Sequence, residues 1–439
     1  MLKYVLKFGG TSLKDSTAIR KARDTVTNFH EKRKPEQLIV VVSAAGKLDD
    51  SYLGDKVTNL LERVHRGENL GQNKQEVISR TRKICEQLEI PQPTPLYEEL
   101  KRASSGDTDR DYSRTVSLGE RLMLHPFGGF LAKTLECIVL DYNQFGMLTN
   151  DCKDATATEE ATIEIERSLQ GKKVVVVPGF LGYNKQEEVT TLGRDGSNYT
   201  ATKIAEAITA DSVFIFSDEP GVRRAHPKFV PDAEVIGELT YDEAIEFAEL
   251  GAKIINPRAV YPAKIENIPI YIVDESYQGT VISSSVSTKH LGAKIIASSP
   301  GHYILTVKYE TDKPGVLSNI AARFENAGIN IESIADERHA LSVAFFGNEG
   351  NIGQLIRAMG NEYKLTLENR FARISVIGEG MRNQAGLIAK IANSFKRRGI
   401  SFEMISQALN QLNITTFVQQ EYERIAVKSL YDDLFGNSK

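Results

Sequence analysis

Cysteine is scarce in this chain, with three residues in 439, and Cys85, Cys137 and Cys152 stand apart with no C-x-x-C spacing. That excludes a disulfide framework and the common zinc sites, and leaves the thiols as packing residues. A strong net charge is lacking too. The 54 basic side chains face 58 acidic ones, a formal charge of −4, so electrostatics gives neither nucleic acid nor an anionic membrane a footing. Short basic clusters such as Lys32-Arg33-Lys34 before Pro35 have the form of a solvated helix end. No stretch approaches the ~18 uninterrupted apolar residues of a spanning helix, and a strand begins almost at Met1 in place of an export signal, so the cytoplasm is the expected location. The Walker phosphate loop is also missing.

What the chain does have is a 41% hydrophobic content, enough to fill the cores of two or three domains. Its clearest internal order is a repeat. Pro314-Gly315-Val316-Leu317 is echoed 71 positions later by Ala385-Gly386-Leu387-Ile388, Gly328 by Gly399, and Ile329-Asn330-Ile331-Glu332 by Ile400-Ser401-Phe402-Glu403. Helix start, helix stop and following strand recur together. Leu317, Ile320, Ala321 and Phe324 in one copy, and Ile388, Ile391, Ala392 and Phe395 in the other, fall at helical spacing. Gly328 and Gly399 suit the left-handed position that closes a helix. With strand-like runs ahead of each helix (Tyr303 to Tyr309, Ala372 to Ile377), the copies form ferredoxin-like α+β modules. A structural pair and a ligand-binding pair both fit the repeat alone. The modules resemble ACT domains, which bind amino acids; since such pairs interleave, the last strand of the chain is expected to complete the first module.

Residues 1–290 have a different texture. The apolar runs Ile39 to Val42, Val174 to Val177 and Val213 to Phe216 alternate with helical stretches, the pattern of a mainly parallel sheet covered on both faces. Each run ends in a turn, at Ser43, at Pro178-Gly179 and at Ser217-Asp218, where open α/β sheets bind ligands. Residues 62–115 are highly charged and predict a helical insertion, with Gly106 to Thr115 as an exposed loop. The stretch from Ser276 to Gly301 predicts a domain junction.

Three segments carry chemistry. Lys7-Phe8-Gly9-Gly10-Thr11-Ser12 follows a strand, so a lysine and a glycine turn able to approach a phosphate stand together, although a plain turn has the same form. Thr191 to Ala201 runs into a helix and offers free N–H groups and Arg194 to an anion. Ser217 to Pro227 follows a buried strand and leads to Thr240-Tyr241-Asp242-Glu243, a capping box. His226 within it reads as a surface histidine.

In order and spacing these segments resemble the aspartokinase family over essentially the whole chain. Lys7 to Ser12 matches the family's opening signature. Ser117-Leu118-Gly119-Glu120 resembles its S-x-G-E segment, Gly193 to Ala201 its G-R-x-G-S-D-Y-[ST]-A, and Gly251 to Pro257 its G-A-K-V-[LI]-H-P. The resemblance implies a three-layer α/β kinase domain over residues 1–290, then ACT domains over 301–370 and 371–439. It implies ATP with Mg2+, and L-aspartate or a similar acidic amino acid as acceptor. Lys7 and Lys253 would neutralise the ATP phosphates, with Gly9, Gly10 and Ser12 in contact with them and Ser217, Asp218, Arg223 and Lys228 along the nucleotide. Glu120 would take the acceptor's amine and Arg194 and Ser197 its carboxylate, with Ser43 and Thr58 beside it. Asp312, Gly315 and Glu332 would hold an amino-acid effector, and edge pairing of ACT modules implies a homodimer.

The chemistry requires such cations. A carboxylate must approach an anionic γ-phosphate, and two unit charges ~4 Å apart repel by ~4 kcal/mol at an effective dielectric of ~20; lysines, loop N–H groups and Mg2+ offset that repulsion. The chain departs from the pattern at Asp195, Arg223, His226 and above all Asn198, which replaces the aspartate that orients the two lysines. Asp195, three residues earlier, is a candidate substitute. Asn198 also leaves open a catalytically weak, effector-binding paralogue.

Overall fold

The computed structural model describes residues 2–219, 221–250, 255–287, 291–310, 314–407 and 412–436, which fall into two compact units. The first comprises residues up to 222, 235–245 and part of 253–286; the second comprises 223–234, part of 246–252 and the described residues from 287 on.

Ten strands belong to the first unit: β1 (Lys3–Phe8), β2 (Gln37–Val42), β3 (Ile138–Val139), β4 (Val174–Pro178), β5 (Leu181–Tyr183), β6 (Val189–Thr191), β7 (Ser212–Phe216), β8 (Glu238–Thr240), β9 (Ile270–Val273) and β10 (Gly279–Ser283). Eight of them form one sheet in the order β3-β4-β2-β1-β7-β9-β10-β8, parallel at every pairing except β9 with β10. The apolar runs are parallel strands because both faces are covered: all six residues of β2 and all five of β4 and β7 are buried. Helix Ser16–Arg33 turns Ile19, Ala22, Val26 and Phe29 inward. It starts where Asp15 accepts from the Ala18 N–H and ends at Lys34 in the left-handed region, the helix end expected before Pro35. The capping box also forms, with Thr240 N donating to Glu243 Oε2 (2.8 Å) and Glu243 N to Thr240 Oγ1 (3.2 Å). Because β2 and β7 flank β1 on opposite sides, the carboxyl ends of β1, β2, β4 and β7 open on one crevice at the point where strand order reverses.

The charged insertion is helical, as expected, with helices Val57–His65, Leu70–Leu88 and Thr94–Arg102. Residues expected to form an exposed loop there include a further helix, Asp109–Val116, with Ser113, Thr115 and Val116 buried. Thr108 caps it by accepting from Asp111 N, and Asp109 and Asp111 occupy its first turn, a helix-start signal hidden by the surrounding charge.

The second unit carries β11 (Ile295–Lys308), β12 (Ile331–Glu337), β13 (Ala340–Phe345), β14 (Lys364–Ile377), β15 (Phe402–Gln407) and β16 (Asn413–Gln419) in one antiparallel sheet ordered β12-β13-β11-β14-β16-β15. β11 and β14 are each 14 residues long, and a register shift near His302 divides their pairing. Residues 302–308 and 364–371, with β12, β13 and helices Val316–Asn326 and Glu349–Met359, surround a core of Leu305, Ile320, Phe324, Val343, Phe345 and Leu355. Residues 372–377, with β15, β16 and helices Leu387–Lys396 and Glu423–Leu434, surround Ile374, Ile391, Phe395, Ile414 and Leu430. The strand that completes this second module is residues 295–300, paired with 372–377. The expected exchange is therefore reversed. The last strand, β16, lies between β14 and β15, and the segment ahead of the first module fills out the second. Gly328 and Gly399 hold φ of 65° and 66°, the left-handed helix ends read from the repeat. Leu317 and Ile388, placed on the buried helix faces from spacing, are instead 50% and 44% exposed, matching each other across the repeat.

Candidate active site

The crevice at the strand ends holds a cavity of about 620 Å³, within the usual range for a small-molecule site. Two glycine turns form its floor by backbone contact. Gly46 N donates to Gly10 O (2.8 Å), and a Cβ added at Gly46 would lie 2.5 Å from the Gly10 carbonyl carbon. The Gly10 position thus serves the packing of two turns as well as any phosphate. On one side Lys7 projects from β1. Burial pushes its ammonium pKa down to about 8, opposed by the charges of Asp195 and Asp218.

On another side helix Gly196–Ile208 begins, with Gly196, Ser197 and Asn198 all buried in its first turn. Asp195 precedes it in the left-handed region at φ 57°, and its carboxyl pKa is raised by burial. The helix start is anchored to the turn after β4: Phe180 N donates to Thr200 Oγ1 (3.0 Å), and a Cβ at Gly179 would sit 2.6 Å from that of Ser197. This pocket wall offers the N–H groups and positive dipole end of a helix start, with Arg194 among the lining residues, a setting suited to an anion.

The opposite pole is acidic. Glu120, 4% exposed on helix Leu118–Leu131, accepts from Ala44 N through Oε1 (3.2 Å), while its Oε2 is buried and takes no hydrogen bond from the described residues. Burial raises its pKa to about 8. A carboxylate so placed costs free energy until a cation meets it. Glu62 and Asp154 line the same region, and Tyr112 Oη donates to Glu62 Oε1 (3.0 Å). Asn198 Oδ1 is likewise buried and without a partner among the described residues. The cavity therefore has a cationic end and an anionic end, suited to a zwitterion facing a phosphoryl group.

A second cavity of about 690 Å³ lies beyond the same glycine turn, lined by Ser12 and by Ser217 and Asp218 at the end of β7. Thr11 lines both, so the turn after β1 is the wall between them.

The amino acid kinase family profile matches residues 3–274, well over half of the chain. The chain belongs to the amino acid kinase family. An ACT domain profile matches residues 374–434. Among similar proteins, the aspartokinase of Geobacillus stearothermophilus is 27% identical over 438 residues, covering 98% of this kinase and 96% of that one. Aspartokinase 2 of Bacillus subtilis is 27% identical over 442 residues, with the same coverage. Crystal structures of Clostridium acetobutylicum aspartate kinase (TM-score 0.81) and of E. coli aspartokinase III in complex with aspartate and ADP (TM-score 0.79) share its fold; each is 22% identical, covering 98% of this chain and 99% of that one.

Of the residues singled out from the sequence of this amino acid kinase, Lys7, Gly10, Ser43, Thr58, Glu120, Arg194, Ser197 and Asn198 meet around the first cavity, and Ser12, Ser217 and Asp218 around the second. Gly9 backs the turn, its missing Cβ 3.4 Å from Lys7 Nζ. Arg223 and Lys228 belong to the second unit, where Arg223 donates to Ala233 O (2.7 Å) and Lys228 Nζ lies 5.5 Å from the Phe229 ring. Lys253 and Asp312 lie outside the described residues. Gly315 caps helix Val316–Asn326 at φ 97°. Glu332, expected to await an effector's amine, is already engaged: Arg373 Nη1 lies 3.0 Å and His302 Nε2 2.9 Å from its two oxygens. Burial pushes its carboxyl pKa up, but these neighbours hold it below the ordinary value. His302 and Arg373 are remote in sequence, so no local pattern revealed the pairing. Sequence reading also passed over Lys56, Tyr112 and Asp154 in the first cavity; the nearest signal was Lys56's place two residues before Thr58.

Proposed function

We propose that this kinase transfers the γ-phosphoryl group of Mg-ATP to the β-carboxylate of L-aspartate, forming β-aspartyl phosphate and ADP. One observation carries the acceptor assignment: Glu120 keeps a buried, unsatisfied oxygen in the same cavity as Arg194, Ser197 and Lys7. Glu120 takes the α-ammonium, Arg194 and Ser197 take the α-carboxylate, and Ser43 and Thr58 line the space between. The acceptor's second carboxylate then points at Lys7. It is ionised at neutral pH and needs no general base; one of its oxygens bonds to the γ-phosphorus as the bond to the β-phosphate oxygen breaks and ADP departs. Lys7, Lys253 and the N–H groups of the Gly9-Gly10 turn grip the transferred group, with Asn198 in the same cavity as Lys7, and Ser12, Ser217 and Asp218 hold the nucleotide. Among the described residues no three acidic, histidine or cysteine side chains converge as a metal site, so Mg2+ is taken as part of the Mg-ATP substrate, chelated by its phosphates.

The relatives' names and full-length matches support this activity. The further reading is that the kinase opens lysine, threonine and methionine biosynthesis in the cytoplasm, works as a homodimer with domains at 1–290, 301–370 and 371–439, and is inhibited by lysine or threonine bound at the first ACT-like module near Gly315. Incubation with Mg-ATP, hydroxylamine and a panel of amino acids tests the reaction, since an acyl phosphate is trapped as its hydroxamate. Product with aspartate alone is expected. Product only with another acidic amino acid would move the acceptor, and none at all would leave the effector-binding paralogue, the reading that the uncharged Asn198 favours.

A further inference from the structure

The Ser43-Ala44-Ala45-Gly46 wall of the first cavity is followed from Lys47 by an excursion that returns at Val57, whose N–H donates to Ala45 O (3.0 Å). The excursion closes on itself: Leu48 N donates to Gly54 O (2.7 Å), Gly54 N to Ser51 Oγ (2.9 Å) and Ser51 N to Asp49 Oδ1 (2.8 Å). Arg80, 6% exposed, clamps its two ends, donating from Nη2 to Gly46 O and from Nη1 to Asp55 O, both at 2.6 Å. The Asp55 carboxylate in turn accepts from Lys56 N (2.7 Å), Asn59 Nδ2 (2.9 Å) and Arg63 Nη2 (2.9 Å). The residue delivered by this bracing is Lys56, at the head of helix Val57–His65, whose side chain lines the cavity with Lys7 and Asp195. Lys56 is exposed at the cavity's edge and its ammonium makes no ion pair among the described residues, although Arg63 two turns on is paired with Asp55. A well-anchored backbone that holds a solvated cation at the edge of a cavity, with no protein partner to release, suits a ligand-binding group.

Resting on the phosphoryl-transfer reading of this cavity, we propose that Lys56 is a further ammonium, besides Lys7 and Lys253, that grips the transferring γ-phosphoryl group, with Asp195 as the counter-ion shared between Lys56 and Lys7. Two like charges brought to one phosphoryl group repel in its absence, and a carboxylate between them reduces that repulsion while the site is empty. The charge of Lys56 acts on both Lys7 and Asp195, consistent with that placement. Lys56 would therefore distinguish a nucleoside triphosphate from the diphosphate, because only the triphosphate reaches it.

Calorimetric titration of the full chain with Mg-AMP-PNP and with Mg-ADP separates this role from a structural one. Lys56→Met is expected to weaken Mg-AMP-PNP at least tenfold and leave Mg-ADP within twofold, and Lys56→Arg is expected to stay within threefold of wild type for both. Asp195→Asn is expected to shift the loss of Mg-AMP-PNP affinity at high pH to a lower pH, because Lys7 loses its counter-ion. Equal loss of both nucleotides in Lys56→Met, no loss of either, or failure of the wild type to prefer the triphosphate would overturn the assignment. The titration contains no acceptor, so a wild-type chain that forms no aspartyl hydroxamate would sink the acceptor reading while leaving this result to be judged on its own.

Discussion

Burial moves Glu120 and Lys7 toward the same pKa from opposite directions, each to about 8. Glu120 binds an ammonium only when ionised, so acceptor binding strengthens as pH rises toward its pKa. Lys7 grips a phosphoryl group only when protonated, so that grip weakens as pH rises past its own. Initial rates over pH 6 to 10 should give a bell-shaped kcat/KM for aspartate centred near 8. Glu120→Gln removes the rising limb and raises KM for aspartate by about tenfold or more, the worth of a charged hydrogen bond; a rising limb that survives the change would remove Glu120 from amine binding. At the neighbouring helix start, Asn198 brings no charge, whereas Asp195 lines the cavity and is the leading charge that holds Lys7 in its protonated form. Asp195→Gly should therefore lower kcat at least tenfold, about 1.4 kcal/mol, and adding Asn198→Asp should restore it. Glycine fits φ 57° better than aspartate does, so the single variant should be as stable to heat as wild type. Full activity in Asp195→Gly would place the lysine counter-ion elsewhere.

Elements were legible where local rules act alone. The fully buried β2, β4 and β7, the capping box at Thr240 and the left-handed ends at Gly328 and Gly399 follow from pattern and cap chemistry. Elements were missed where a local signal was overlaid by another. Charge obscured the Thr108 cap, and the excursion after Lys47 separated Lys56 in sequence from the Ser43 turn it joins at the cavity. Close contacts between elements were not legible at all, and the meeting of Gly179 with Ser197 is one of them. A Cβ at Gly179 would press within 2.6 Å of Ser197 Cβ and 2.9 Å of its Cα, neither of which can swing away. Gly179→Ala is expected to push the start of helix Gly196–Ile208 outward, at a cost of about 1–3 kcal/mol in urea unfolding. The same shift moves Ser197 off the acceptor's carboxylate, so KM for aspartate should rise several-fold while KM for ATP changes less. Equal changes in both constants would mean that the helix start serves the nucleotide as much as the acceptor.

At the scale of the whole molecule, the repeat announced two modules but could not say how they share strands, because pairing depends on which edge each strand meets rather than on its own sequence. β11 and β14 run through both modules in the second unit, and residues 295–300 supply the second module's last strand from a position ahead of the first module. Ile296, 2% exposed, sits in the core that holds Ile391, Phe395 and Leu430, although the whole first module separates them along the chain. Leu305, nine residues further along the same strand and fully buried, packs in the other core. Each truncation to alanine removes buried methyl groups and leaves a cavity, at a cost of about 2–5 kcal/mol. Amide hydrogen exchange can locate that cost, since local opening reports the stability of each cooperative unit. Ile296→Ala should accelerate exchange in helices Leu387–Lys396 and Glu423–Leu434 more than in Val316–Asn326 and Glu349–Met359, and Leu305→Ala should do the reverse. If both variants accelerate all four helices alike, the shared strands β11 and β14 weld the modules into one cooperative unit, and an effector bound at one module must then work against the stability of both.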